Sequence, residues 1–173
     1  MDKNIIVIGH VDHGKSTFMK ALDLFINGRE RIVGEDEAES RTVSYRIGED
    51  NYKVFDYAGA YEYEENIGKN EEWAAILVCA ATDGPMPQTT EQVRLCKERG
   101  IKRMALYFSK CDLVTDDELI DFIKMDVDDL LEENGYSCDC PILKASAEKA
   151  CDWGEEEYKA KYITFLKEIH NMQ

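Results

Sequence analysis

The chain has 173 residues, 44% of them hydrophobic, which suits one domain with a sizeable core. Its formal net charge of −15 disfavours non-specific binding to nucleic acids or anionic membranes, because there is no surplus of cations, and leaves basic protein partners open. No apolar run approaches the length of a membrane span and no signal peptide is visible, so we expect a cytoplasmic protein.

The cysteine pattern agrees with that compartment. The only close pair, Cys138 and Cys140, matches neither a zinc nor a redox motif. We therefore expect ordinary reduced thiols. The six cysteines are Cys79, Cys96, Cys111, Cys138, Cys140 and Cys151.

A glycine-rich stretch near the amino terminus carries the strongest signal. Residues 9–17 read GHVDHGKST, the phosphate-loop pattern of a glycine, four residues and then Gly-Lys-Ser or Gly-Lys-Thr. The apolar run at 3–8 predicts a buried parallel strand before the loop, and Phe18, Leu22 and Phe25 follow at helical spacing. The N–H groups of such a loop and the start of the helix can hold a phosphate.

A long polar loop and a hairpin come next. Residues 27–41 contain two glycines and little periodicity, so we expect a loop there that is mobile until a triphosphate binds. Alternating runs at 42–47 and 52–55 predict two antiparallel strands. Asp56 and Gly59 then suit a second nucleotide-facing loop, although Asp at a strand end is more often a turn or a helix cap.

Two buried strands deliver two further loops. The apolar run at 74–80 predicts a strand buried on both faces, followed by a proline-bearing loop at 82–87 and a helix over 88–99. A strand predicted at 102–108 leads into Ser-Lys-Cys-Asp at 109–112.

The last third of the chain repeats the alternation. A helix with an acidic first turn is predicted from about 116 to 134. A short strand at 141–144 delivers Ala-Ser-Ala-Glu at 145–148, and a final helix carries His170, which we expect to be solvated.

Strands that alternate with helices predict an α/β fold. We expect a mostly parallel, doubly wound sheet of about six strands with helices on both faces. Each candidate loop follows the carboxyl end of a strand, and ligands bind at that edge of such sheets. The absence of a linker or repeat favours a single domain over 1–173.

The motifs in these loops resemble the GTP-binding domain of translational GTPases of the elongation factor Tu type. GHVDHGKST at 9–17 is that family's own form of the phosphate loop, and AATDGPMPQT at 80–89 and KCDLV at 110–114 read almost as the family does. The resemblance covers nearly the whole chain. It implies a P-loop GTPase fold, GTP as substrate, GDP as product and Mg²⁺ as cofactor.

Motifs and resemblance together predict the phosphate and metal contacts. Lys15 would reach the β- and γ-phosphates and Gly59 would meet the γ-phosphate, which makes these two the candidate catalytic residues. The Ser16 hydroxyl would bind the Mg²⁺, and Asp56 would hold it from the outer shell, usually through water. Thr42 is the nearest candidate for the family's metal-binding switch threonine, with the start of a strand as the alternative.

The resemblance also implies how the base is bound. Lys110 would pack along the base and Asp112 would accept hydrogen bonds from guanine N1 and N2, where adenine has no adjacent donors. Ser146 and Ala147 match the loop whose backbone meets the guanine oxygen. The predicted nucleotide-binding residues are Asp12, His13, Gly14, Lys15, Ser16, Thr17, Ser109, Lys110, Asp112, Ser146 and Ala147.

The chain departs from the family pattern at four places. Ser109 replaces the asparagine that opens the base-reading motif, so its contact to guanine N7 and its tie to the phosphate loop are expected to weaken. The Arg-Gly-Ile-Thr stretch of the switch loop is missing. Ala60 stands where the family has a histidine that positions the attacking water. We expect no transfer-RNA-binding β-barrel domains, which argues against transfer-RNA delivery.

These features leave three hypotheses. The first is a Mg²⁺-dependent GTPase that hydrolyses GTP slowly. The second is a GTP- and GDP-binding switch or scaffold with little or no hydrolysis, and the third is an ATP-using enzyme, which Asp112 argues against. The expected partners are guanine nucleotide and an exchange factor, activating factor or ribosome-type particle, without a membrane or direct nucleic-acid contact.

Overall fold

The computed structural model of the protein describes residues 2–28, 41–57, 73–153 and 156–172. The strands are β1 Asp2–Ile8, β2 Arg41–Ile47, β3 Asp50–Asp56, β4 Trp73–Ala80, β5 Arg103–Ser109 and β6 Ile142–Lys144. The helices are α1 Lys15–Asn27, α2 Pro87–Glu98, α3 Asp117–Glu133, α4 Ala147–Trp153 and α5 Glu156–Asn171. Short 3₁₀ turns lie at Val11–His13 and Cys111–Leu113.

The strands form one sheet in the order β2-β3-β1-β4-β5-β6. Every neighbouring pair is parallel except β2 and β3, which form the predicted hairpin with Arg41 opposite Asp56. Because β3 and β4 flank β1 on opposite sides, the chain reverses its direction of winding at β1. Ligands bind at such a switch point in open α/β sheets.

Both faces of the sheet are covered. Ile5 and Val7 pack against α1 and α5, whereas Ile6 and Ile8 pack against α2 and α3. Since side chains alternate along a strand, burial on both faces explains the continuous apolar run of β1. All eight residues of β4 are buried, as predicted. The predicted α/β class, with a mostly parallel sheet between two helical layers, is confirmed.

Aromatic side chains fix α1 and α5 against β5. Phe18 lies 4.7 Å from Tyr107 and 5.7 Å from Tyr162, measured between ring centroids. The buried hydroxyls of Tyr107 and Tyr162 hydrogen-bond at 3.1 Å, which satisfies both polar groups inside the core. This packing holds α1, whose first turn carries the lysine and serine of the phosphate-loop motif.

Some details differ from the sequence predictions. Helix α4 was not predicted, and it begins where Ser146 caps it by accepting from the Lys149 N–H at 3.3 Å. His170 is not freely solvated, because its ring hydrogen-bonds with the Tyr52 hydroxyl and lies 4.0 Å from Asp50. The loop expected at 27–41 falls mostly on residues 29–40, which lie outside the described residues.

All six cysteines lie among the described residues, and no disulfide links them. Burial raises the pKa of Cys79 to about 12, and the pKa values of Cys138 and Cys140 to about 11. Thiols with such high pKa values carry little nucleophilic thiolate at neutral pH. No helix among the described residues is long and apolar enough to cross a membrane.

Candidate nucleotide-binding site

The candidate site lies at the carboxyl edge of the sheet. The phosphate-loop motif follows β1, Asp56 ends β3, and Lys110 follows β5. Ser146 comes two residues after β6. Because these strands are parallel, their carboxyl ends meet at one edge, so the structure brings together loops that are far apart in the sequence.

Two glycines give the phosphate loop its shape. Gly9 has φ 137°, and a Cβ atom there would lie 2.2 Å from the Val78 carbonyl oxygen. Gly14 has φ 87° and directly precedes α1. L side chains rarely adopt these backbone conformations, and the close approach at Gly9 excludes any side chain. Both positions therefore require glycine.

The Lys15 ammonium lies inside the curve of this loop. It donates to the carbonyl oxygens of Gly9 at 3.1 Å and His10 at 3.3 Å. Burial lowers the pKa of Lys15, while the carboxylates of Asp56 and Asp12 oppose that shift. A partly buried cation beside a phosphate-loop backbone is positioned to pair with a phosphate.

Ser16 and Asp56 form an oxygen pair next to Lys15. The Ser16 hydroxyl donates to Asp56 Oδ2 at 3.4 Å, and Asp56 is buried. The described residues contain no cluster of three acidic, histidine or cysteine ligands. Mg²⁺ sites that serve nucleotides use one or two protein oxygens together with phosphate oxygens, so this pair fits Mg²⁺.

Thr42 lies in the strand next to the one that ends with Asp56, but its side chain is on the opposite face of the sheet. It sits in β2 opposite Phe55, with its side chain exposed. Phe55 lies on the face of the sheet that α2 and α3 cover, whereas Val54 lies on the α1 face. Because side chains alternate along a strand, Asp56 lies on the α1 face as well. Thr42 is thus not brought to the Ser16–Asp56 pair in this conformation, and its metal role stays a prediction.

The predicted base-reading residues gather between β5 and α4. Lys110 has φ 56°, the only positive φ at a non-glycine among the described residues. Asp112 lies in the turn after it, and its carboxylate is 3.8 Å from Lys149 Nζ on α4. Ser146 and Ala147 are buried at the start of α4. Residues from two loops therefore face one another here.

Ser109 ties this region to the phosphate loop. Its buried hydroxyl donates to the His13 carbonyl oxygen at 2.6 Å. The tie that we expected to weaken with serine in place of asparagine is therefore present. Gly14 lies beside this contact, since a Cβ atom there would be 3.8 Å from the Ser109 hydroxyl oxygen.

The His13 ring is also part of the candidate site, in addition to its backbone carbonyl. The side chain is buried, and its Nδ1 has no hydrogen-bond partner among the described residues. Nε2 lies 4.0 Å from Asp83. Burial lowers the pKa of His13, so the neutral ring is favoured. Asp12 and Thr17, the remaining predicted loop residues, lie at the exposed turn and in the first turn of α1.

The family model described as the Elongation factor Tu GTP binding domain matches residues 2–172. The chain belongs to this family. Its match takes in all the described strands and helices, so the elongation factor Tu-type domain is the whole α/β unit. As a member of that family the protein is a guanine-nucleotide-binding domain with the P-loop GTPase fold.

One contact of this elongation factor Tu-type domain escaped sequence analysis. The Gln92 side-chain oxygen on α2 accepts a 2.6 Å hydrogen bond from the Gly9 N–H. The two residues are 83 positions apart, and no local motif marks Gln92. Two residues of the sequence predictions, Gly59 and Ala60, lie outside the described residues, so their roles stay predictions.

Proposed function

We propose that the domain hydrolyses GTP in a Mg²⁺-dependent reaction whose intrinsic rate is low. The observation that carries the proposal is the arrangement of Lys15 beside the Ser16–Asp56 oxygen pair, at the mouth of a loop shaped by Gly9 and Gly14. Phosphoryl transfer depends on positioning and on charge neutralisation, and this arrangement provides groups for both.

Each residue has a role that depends on the part of the nucleotide it would contact. Lys15 and the loop N–H groups would neutralise and orient the phosphates, with Gly59 at the γ-phosphate. Ser16 and Asp56 would hold Mg²⁺, which supplies positive charge to the phosphate oxygens. Asp112 would select guanine by accepting from N1 and N2, and Lys110 would pack along the base.

The low rate follows from Ala60. The residue after Gly59 is a histidine in the resembled family, and there it positions the attacking water. A methyl group neither donates nor accepts a hydrogen bond, and groups that orient water or abstract a proton contribute about 10²–10⁴-fold. We infer that binding persists while turnover falls, unless a protein partner supplies the missing group.

Ala60 also favours the second function, a GTP- and GDP-binding switch or scaffold with little hydrolysis. The partner of either form would be an exchange factor, an activating factor or a ribosome-type particle in the cytoplasm. ATP-using chemistry is disfavoured, because the Asp112 carboxylate matches donors that adenine lacks.

A single-turnover hydrolysis assay distinguishes a slow GTPase from a switch or scaffold that scarcely hydrolyses GTP. We expect the parent to bind GTP and GDP with Mg²⁺ and to hydrolyse GTP slowly, and Ala60→His to hydrolyse it faster. Ala60→Leu is the matched control, because it adds bulk without a hydrogen-bonding group. GDP affinity and thermal unfolding of each variant report whether its site and fold are intact.

The outcomes separate the hypotheses. A brisk rate in the parent would contradict the role given to Ala60. An unchanged rate in a folded, GDP-binding Ala60→His variant would show that this position does not limit the reaction. No measurable turnover in any variant, with tight GDP binding, would support the switch or scaffold instead.

A further inference from the structure

Gly9 is held from three sides. Its N–H donates to the Gln92 side-chain oxygen at 2.6 Å, and its carbonyl oxygen accepts from Lys15 at 3.1 Å. Its Cα packs so closely on Val78 that a Cβ atom would lie 2.2 Å from the Val78 carbonyl oxygen. The peptide groups before and after Gly9 are therefore fixed by two different side chains.

The two contacts at Gly9 differ in what anchors them. Lys15 belongs to the loop itself, so it cannot fix the loop against the rest of the protein. Gln92 belongs to α2, and its neighbours Val93 and Cys96 are fully buried against the sheet. The backbone of Gln92 is thus rigid, and its amide group holds the beginning of the phosphate loop from outside.

We propose that Gln92 is a positioning residue for the phosphate loop. By fixing the peptide plane between Ile8 and Gly9, it sets the direction in which the Gly9 carbonyl faces Lys15, and with it the place of the Lys15 ammonium. Gln92 acts through Gly9 and Lys15, without contact to the nucleotide. The proposal rests on the nucleotide site proposed above.

Loss of the Gln92 oxygen leaves the Gly9 N–H without its acceptor. A partly buried N–H that loses its partner is destabilised, and the loop gains freedom to rotate at Gly9, where φ is already unusual. We expect GDP to dissociate about tenfold faster, which is the factor that the loss of one such hydrogen bond gives.

The experiment compares Gln92→Met with Gln88→Met. Methionine matches glutamine in length but has no amide oxygen. Gln88 is exposed one turn earlier on the same helix, so its replacement controls for the change in composition. Two quantities are measured: the GDP dissociation rate with Mg²⁺, and the hydrogen exchange of the Gly9 amide by NMR in the nucleotide-free protein.

We expect Gln92→Met to speed GDP release and to unprotect the Gly9 amide, while Gln88→Met changes neither. Binding of GDP should also weaken more than binding of GMP, because a loosened loop loses contacts to the β-phosphate first. A general loss of stability would weaken the binding of both nucleotides equally. Gln92→Glu keeps an acceptor oxygen and should restore protection of the Gly9 amide, measured at ~0.5 M NaCl to screen the added charge.

Unchanged protection of the Gly9 amide in folded Gln92→Met would overturn the proposal, and so would an unchanged GDP off-rate. If Gln92→Met does not fold, Gln92→Asn shortens the side chain by one methylene and is judged by the same two measurements. Failure of the parent to bind GDP would contradict the proposed function, while the Gly9 amide would still report on Gln92.

Discussion

Asp112 is the residue that we expect to select guanine, and its surroundings restrict where its carboxylate lies. Its carboxylate lies at the end of a short turn after β5, half-buried and 3.8 Å from the Lys149 ammonium. The Ser146 hydroxyl accepts from the Lys149 backbone N–H, which fixes the turn of α4 that carries the lysine. A carboxylate held in this way can accept two adjacent donors without much rearrangement.

Asp112→Asn is expected to lose most of the affinity for GDP. The amide replaces an acceptor with a donor group that faces the donors of guanine, which leaves buried donors unpaired at a penalty of roughly 1–3 kcal/mol. Calorimetric titration with GDP and ADP measures both affinities. Asp139→Asn, at an exposed position, controls for the loss of one negative charge. Comparable affinities of the parent for GDP and ADP would contradict the base assignment.

At the scale of elements, the phosphate loop is clamped between strands and helices that do not adjoin it in sequence. Ser109 at the end of β5 holds the His13 carbonyl, and Gln92 on α2 holds the Gly9 N–H. The β-hairpin contributes Asp56, which Ser16 of α1 contacts. The loop therefore depends on the packing of β3, β5 and α2 as much as on its own glycines.

Ser109→Ala is expected to weaken both the fold and GDP binding. The variant leaves the buried His13 carbonyl without its 2.6 Å hydrogen bond, which costs about 1–3 kcal/mol of unfolding free energy. Urea unfolding and GDP titration measure the two effects. Ser44→Ala, at an exposed position of β2, provides the control. Equal stabilities of the two variants would show that the Ser109 tie contributes little.

At the scale of the whole molecule, the charge opposes the ligand. The net charge of −15 repels an anionic nucleotide at long range, while Lys15, Lys110 and Lys149 act close to the site. Exposed charges are screened beyond about 10 Å at 0.1 M salt, and buried or closely paired charges much less. Salt should therefore remove the repulsion before it removes the local attraction.

The association rate of GDP is thus expected to rise with salt. We expect about a threefold increase between ~10 mM and ~200 mM NaCl at constant Mg²⁺, opposite to the trend of a basic nucleotide-binding protein. Stopped-flow fluorescence with a labelled GDP gives this rate, and a neutral crowding solute at matched viscosity is the control. A rate that falls with salt would mean that the lysines near the site outweigh the net charge.

Consecutive residues were enough to predict the sheet, most helices and the phosphate loop. The spacing of apolar residues, the spacing of glycines and the Gly-Lys-Ser motif are local signals. They predicted β1, β4 and α1, and the structure contains these elements. The same local reading missed α4, because Ser146 caps a helix of only seven residues there.

The tertiary structure alone decided which side chains support the site. Ser109 and His13 are 96 positions apart and Gln92 and Gly9 are 83 apart, so these contacts depend on strand order and on how each helix packs against the sheet. The register of β2 with β3 likewise placed Thr42 on the face opposite to Asp56. The sequence determined the groups that can bind a nucleotide, because their chemistry lies in short motifs, whereas packing determined how those groups are held.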